Sequence, residues 1–154
     1  MDVTPIQLPV PLRFLADEYG FVVSVIERPP HWAALDARAV ADAFAVSAGL
    51  RAIGPAWFEI TRQQARVALA AGLLKHLGDW PVRADQLAAE SVAAFIALFG
   101  EGDTTHFFSN GPIALAGDHA RGSHWMPLTR HAFDTGVLGI DASRVGVIWV
   151  MDDD

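Results

Sequence analysis

Residues 136–150 read G-V-L-G-I-D-A-S-R-V-G-V-I-W-V, and this stretch decides the fold. It holds two runs rich in β-branched and aliphatic residues, 136–140 and 145–150, separated by the polar segment 141–144. Such runs predict β-strands, and a four-residue connection between them predicts an antiparallel hairpin. Trp149 alternates with apolar neighbours and is predicted to be buried. The C-terminal part of the chain therefore predicts sheet structure.

Upstream of the hairpin, three segments carry apolar residues at helical spacing. The best marked begins near T-R-Q-Q at 61–64, which matches a capping box, and is predicted to end at Gly78. The segments 35–48 and 84–99 follow the same period and are predicted as two further helices. The apolar stripe of the segment that begins at 61–64 consists of Ala65, Leu69, Leu73 and Leu77.

Short β-branched and aromatic runs at 20–26, 57–60 and 105–108 predict additional strands. The first eleven residues contain three prolines and are predicted to be extended or irregular, because proline fixes φ and lacks an N–H. The order of a strand, then helices, then strands does not match a regular β-α-β alternation. The predicted fold class is therefore α+β, a single domain over residues 1–154 with about three helices packed on an antiparallel sheet that the C-terminal hairpin completes.

Composition limits the possible functions. The chain has 154 residues with 18 acidic and 11 basic side chains, a net charge of −7, and no cysteine. The lack of cysteine excludes a disulfide scaffold and any thiolate chemistry, and the acidic balance argues against binding along nucleic-acid phosphates. Residues 84–154 hold ten acidic and three basic side chains, so the whole excess lies there. Without a targeting or membrane-length segment, we expect a cytoplasmic protein that contacts neither membrane nor nucleic acid.

Histidines raise the possibility of a catalytic or metal-binding function. His106, His119, His124 and His131 fall in one loop-rich stretch, and neutral imidazoles are good ligands for zinc or iron. Their spacing matches no short metal motif, and the chain has no nucleophile elbow or phosphate-binding glycine loop. A small enzyme or metal-binding protein using these histidines is the alternative function. The primary expectation is a protein without catalytic residues, bound metal or cofactor.

Two motifs follow the histidines. Residues 124–137 read H-W-M-P-L-T-R-H-A-F-D-T-G-V, and residues 146–154 read G-V-I-W-V-M-D-D-D. A W-x-P-L-T segment and an F-D-x-G-V segment leading into a strand pair and an acidic tail resemble the ending of small bacterial immunity proteins. Met151 stands where an acidic residue would be usual. Such proteins bind and block a cognate toxin domain delivered by a neighbouring cell, so the resemblance implies a protein-binding role.

The acidic C-terminal half would supply the contact surface that this resemblance implies. An acidic face steers a basic toxin domain and imitates phosphate charge at its active site, while Trp125 either anchors the contact or fills an edge of the core. For Asp134 a second interpretation stays open, a turn in which the carboxylate caps backbone N–H groups. A structural subunit of a homo-oligomer is a further alternative, since the oligomeric state is undetermined. The expected partner-binding residues are Trp125, Asp103, Asp118, Asp134, Asp152, Asp153 and Asp154.

Overall fold

One antiparallel sheet joins strands from both ends of the chain, and helices pack on it. The structure, a computed structural model, describes residues 3–77, 83–111, 126–130 and 133–152, with residues 133 and 152 described by their backbone only. The strands are β1 (Thr4–Pro5), β2 (Val22–Glu27), β3 (Phe58–Ile60), β4 (His106–Ser109), β5 (Phe133–Ile140) and β6 (Arg144–Asp152). The helices are α1 (Val10–Tyr19), α2 (Ala37–Ser47), α3 (Arg62–Leu77) and α4 (Ala84–Ile96). In the described ranges, no helix combines the length and apolar character needed to cross a bilayer.

The C-terminal hairpin forms the centre of the sheet. The strand order is β1-β2-β6-β5-β4-β3, and all neighbouring strands are antiparallel. On one side β6 pairs with β2, and on the other it pairs with the whole of β5. The predicted α+β class and the hairpin are confirmed, but the connection comprises residues 141–143 rather than four residues. The hairpin strands are the longest of the described sheet, and their central position allows apolar side chains on both of their faces to be buried.

Alternate residues of the hairpin face two separate cores. Val137 and Ile148 pack in the core formed with α1, α3 and α4. Val147 and Trp149 face the opposite core, formed with α2 and with Leu128 from the segment before β5. Trp149 is completely buried, as predicted. Because both faces of the sheet are covered, the run 145–150 is apolar throughout instead of alternating with polar residues.

Helix α3 follows its sequence pattern closely. The Thr61 N–H donates to Gln64 Oε1 at 2.8 Å, and the Gln64 N–H donates to Thr61 Oγ1 at 3.0 Å, which confirms the capping box. The helix is described as far as Leu77, and Gly78 lies outside the described residues. Its buried residues are the four members of the predicted stripe, Ala65, Leu69, Leu73 and Leu77.

The N-terminal region differs most from its prediction. Residues 3–9 are extended or irregular as predicted and include the short β1, but helix α1 begins at Val10, inside the segment expected to be irregular, and continues to Tyr19. Pro11 lies in the first turn of α1, where a backbone N–H has no helical acceptor, so this proline is compatible with the helix start. The described residues therefore form four helices rather than about three. The predicted helix 84–99 also ends earlier, at Ile96.

Candidate functional site

Asp134 is completely buried and lies at the centre of a hydrogen-bond network. Its Oδ1 accepts hydrogen bonds from Leu128 N at 3.0 Å, Asn110 Nδ2 at 3.1 Å and Trp149 Nε1 at 3.1 Å. Its Oδ2 accepts from Thr129 N at 2.8 Å and Thr129 Oγ1 at 2.6 Å. The expectation that Asp134 contributes to a contact surface is therefore wrong. The alternative interpretation is right that the carboxylate accepts from backbone N–H groups, but wrong about a turn, because Asp134 lies in strand β5.

This network connects the two motifs that prompted the resemblance. Residues 128–129 belong to the W-x-P-L-T pattern, and Asp134 belongs to the F-D-x-G-V pattern. Asn110, the residue after β4, donates through Nδ2 to Met126 O at 2.9 Å, and its backbone carbonyl oxygen accepts from Met126 N at 2.9 Å. These two residues, 16 positions apart, are therefore held side by side. The described motif residues thus have a structural function, which is to hold the segment 126–130 against the sheet.

Among the other expected contact residues, only Asp103 has a described side chain, and it is exposed in the turn between α4 and β4. Asp152 is described by its backbone at the end of β6. The remaining residues of that set, all outside the described ranges, are Trp125, Asp118, Asp153 and Asp154.

Asp103 lines an open cleft beside β3. The cleft has a volume of about 620 Å³ and lies between the start of α3 and the turn that connects α4 to β4. Two of its lining residues, Ile60 and Phe107, are buried members of the core and provide an apolar base. Three acidic residues from two parts of the chain complete this acidic cleft, namely Glu59, Glu101 and Asp103.

The basic residue in the acidic cleft, Arg62, is bound by groups of the protein itself. Its guanidinium donates to the carbonyl oxygens of Ile96 and Gly100 and lies over the Phe107 ring, 5.3 Å from the ring centroid. This arrangement orients the guanidinium toward the end of α4. The carboxylates outnumber Arg62 by three to one among the lining residues, so the cleft presents net negative charge. A cationic ligand is the kind of group that this charge attracts.

Glu59 also forms a pair with one of the four histidines singled out in the sequence. Its Oε2 lies 2.8 Å from His106 Nδ1, across the β3–β4 pairing, and the His106 ring stacks on Phe108. Side-chain exposures of 35% for His106 and 47% for Glu59 show that the pair is accessible to solvent. In the part of the chain that the structure describes, no three His, Cys, Asp or Glu side chains gather as a metal site requires. The other histidines, His119, His124 and His131, lie outside that part.

Sequence reasoning missed Glu59 and Glu101 as companions of Asp103. Glu59 belongs to β3, whereas Glu101 and Asp103 belong to the turn before β4, and the antiparallel pairing of β3 with β4 brings them together. The available signals were an acidic residue inside the predicted strand 57–60 and the G-E-G-D turn at 100–103. Neither signal shows the pairing of the two strands, which depends on contacts distant in sequence.

Comparisons with known proteins assign neither a family nor a function to this chain. The chain matches no protein-family model, no curated protein and no solved structure. The structure itself defines an α+β protein whose antiparallel sheet is covered on both faces and bordered at one edge by an acidic cleft.

Proposed function

We propose that this protein is a small acidic binding protein of the immunity type, which neutralises a basic bacterial toxin domain by covering its active site. The observation that carries the proposal is the acidic cleft, which Glu59, Glu101 and Asp103 line; Phe58, the residue before Glu59 in β3, is exposed. A toxin domain that acts on nucleic acid needs a basic surface to bind phosphates. Carboxylates held in a cleft are suited to occupy such a surface in place of the phosphates.

The electrostatic contribution of this cleft is expected in the association rate and in specificity. A net charge of −7 raises the frequency of encounters with a cationic partner and disfavours acidic ones. Each ion pair at a solvent-exposed position contributes only about 0.2–1 kcal/mol. Tight binding therefore also requires an apolar anchor, and Phe58, 44% exposed, is available for that contact.

Growth protection on co-expression tests the proposal. The chain is expressed with the product of its neighbouring gene, when that product ends in a basic toxin-like domain, and is expected to restore growth. Association of the purified proteins is then measured at several salt concentrations. Affinity should decrease as salt rises, because exposed charge pairs are screened. Absence of protection, or an affinity that stays constant from low to high salt, would contradict the proposal.

Two matched triple variants locate the binding surface. Neutralising the three carboxylates of the acidic cleft is expected to weaken binding roughly thirtyfold, since three exposed ion pairs together contribute about 2 kcal/mol. A control variant removes the same charge from exposed positions on α1 and α4 and is expected to bind within about threefold of the unmodified chain. Equal losses in both would exclude the cleft as the contact. The cleft variant is E59Q/E101Q/D103N and the control is D17N/E18Q/E90Q.

A further inference from the structure

The outer edge of β3 indicates how a partner engages the acidic cleft. We propose that β3 accepts an extended segment of the partner, containing arginine or lysine, as an additional strand that places a basic side chain opposite Glu59. This inference rests on the proposed function and specifies the mode of binding. Recognition of this kind combines main-chain hydrogen bonds along the edge with specificity from alternate side chains.

The two edges of the described sheet differ in their ability to accept a strand. β3 has one neighbouring strand, β4, and β1 at the opposite edge has one neighbour, β2. β1 spans two residues, and one of them, Pro5, lacks an N–H. β3 contains no proline, so every residue of Phe58–Ile60 retains its backbone donor. Among the described strands, β3 is therefore the edge better suited to pairing.

One side chain of β3 is buried in the core, and the other two are exposed. Ile60 is buried in the core with α3 and α4 and holds the strand in position. Phe58 and Glu59 are exposed, and because successive residues of a strand face opposite sides, they offer an apolar contact on one side and a carboxylate on the other. An added strand could thus contact both residues without rearrangement of the core.

Charge determines which extended segment fits. Side chains directly opposite each other on antiparallel strands lie about 5 Å apart, so a basic residue opposite Glu59 is favoured and an acidic one is disfavoured. Glu101 and Asp103 extend the negative charge beyond the end of β3. Antiparallel pairing of β3 with a second copy of itself, centred on Glu59, would place two carboxylates opposite each other. The occupant that the edge favours is therefore a basic segment of a different protein.

Short peptides and the full chain test strand addition directly. The probes are an acetylated Arg-Val-Arg-Val-Arg peptide and the same peptide N-methylated at two backbone amides, which keeps the charge but removes two hydrogen-bond donors. The first peptide is expected to shift the NMR amide signals of Phe58–Ile60 and to slow the hydrogen exchange of those amides in β3 that do not already donate to β4. The methylated peptide is expected to bind about tenfold more weakly, since two hydrogen bonds contribute about 1.4 kcal/mol together.

Other results would contradict strand addition, and they can be distinguished from a failure of the proposed function. Equal affinity of the two peptides, or no binding of either at millimolar concentration, would exclude strand addition. Growth protection by the unmodified chain would in that case still support the proposed function. Peptide pairing at β3 without growth protection would support the docking edge and contradict the proposed function.

Charge reversal at the edge supplies the variant test. Glu59→Arg is expected to weaken binding of the basic peptide at least tenfold and to permit binding of a Glu-Val-Glu-Val-Glu peptide. Glu90→Arg, at an exposed position on α4, is the matched control and should leave both affinities unchanged. If thermal melting shows that Glu59→Arg does not fold, Phe58→Ser takes its place, with reduced affinity for the unmethylated basic peptide as the expected result. Unchanged affinity in the folded variant would exclude β3 as the docking edge.

Discussion

Replacing Asp134 with alanine is expected to reduce the free energy of unfolding by about 4 kcal/mol. The carboxylate accepts hydrogen bonds from four residues, but the free-energy cost of losing the carboxylate differs from one donor to the next. Asn110 Nδ2 keeps two carbonyl acceptors, and Thr129 is only partly buried, so water can replace the carboxylate there. Leu128 N and Trp149 Nε1 belong to fully buried residues, and each unpaired buried donor costs about 1–3 kcal/mol.

Urea denaturation with a matched control measures this effect. With a denaturant dependence of about 2 kcal/mol per molar urea, a loss of 4 kcal/mol lowers the midpoint by about 2 M. The control is Asp103→Ala, which removes the same kind of side chain from an exposed position and should change stability by less than about 0.5 kcal/mol. A loss below about 1 kcal/mol for Asp134→Ala would refute the reasoning that these donors depend on the carboxylate.

Hydrogen exchange separates the local network from general destabilisation. In the unmodified protein the Leu128 amide is expected to be protected, although it lies outside the strands, because both carboxylate oxygens of Asp134 are within hydrogen-bonding distance. In Asp134→Ala it should exchange faster than amides of β6, such as that of Ile148. A uniform increase across Leu128 and Ile148 would indicate global unfolding only and would contradict a specific role in holding the segment 126–130.

Further predictions concern the close packing of a glycine, the capping of helix α3 and the effect of a thiol reductant on stability. Gly136→Ala would place Cβ 2.0 Å from the carbonyl oxygen of Ile148, so thermal unfolding should show that the free energy of unfolding decreases by at least about 2 kcal/mol. As a control, Gly102→Ala should leave the melting temperature nearly unchanged, because no atom lies within 4 Å of the added Cβ. Thr61→Ala removes the hydroxyl that caps Gln64 N and should cost about 1 kcal/mol in urea denaturation, and full stability in this variant would contradict the capping assignment. Stability should be the same with and without a thiol reductant, because the chain has no cysteine, and a difference would point to contamination or to a bound metal.

Local patterns in the sequence predicted those elements whose signals lie within a few residues. The capping box at Thr61 and the four-residue stripe of α3 were predicted correctly, because helix starts and buried helix faces depend on near neighbours. Helix α1 was missed because Pro11 was interpreted by its ability to break structure, whereas its effect depends on its position in the helix. A proline is unfavourable in the middle of a helix and compatible with its first turn.

The candidate site was predicted only in small part. Asp103 was identified from charge, but its companions Glu59 and Glu101 were not, because the pairing of β3 with β4 is a long-range contact. Asp134 had two interpretations of equal weight in the sequence, and burial decided between them. A carboxylate that accepts hydrogen bonds from the backbone and a carboxylate on a surface have the same sequence signature, and they differ only in what the chain brings around them. Neither interpretation predicted that Asp134 lies in strand β5.

The sequence by itself determined the α+β class, the hairpin, the capped helix α3 and the concentration of acidic residues after residue 83. Only the tertiary structure decided that the hairpin is central, that Asp134 is enclosed by hydrogen-bond donors, and that Glu59 joins Asp103 at a cleft. The physical reason is the range of the interactions involved. Periodicity and capping act over three or four residues, whereas strand order, burial and charge clustering depend on contacts between segments far apart in the chain.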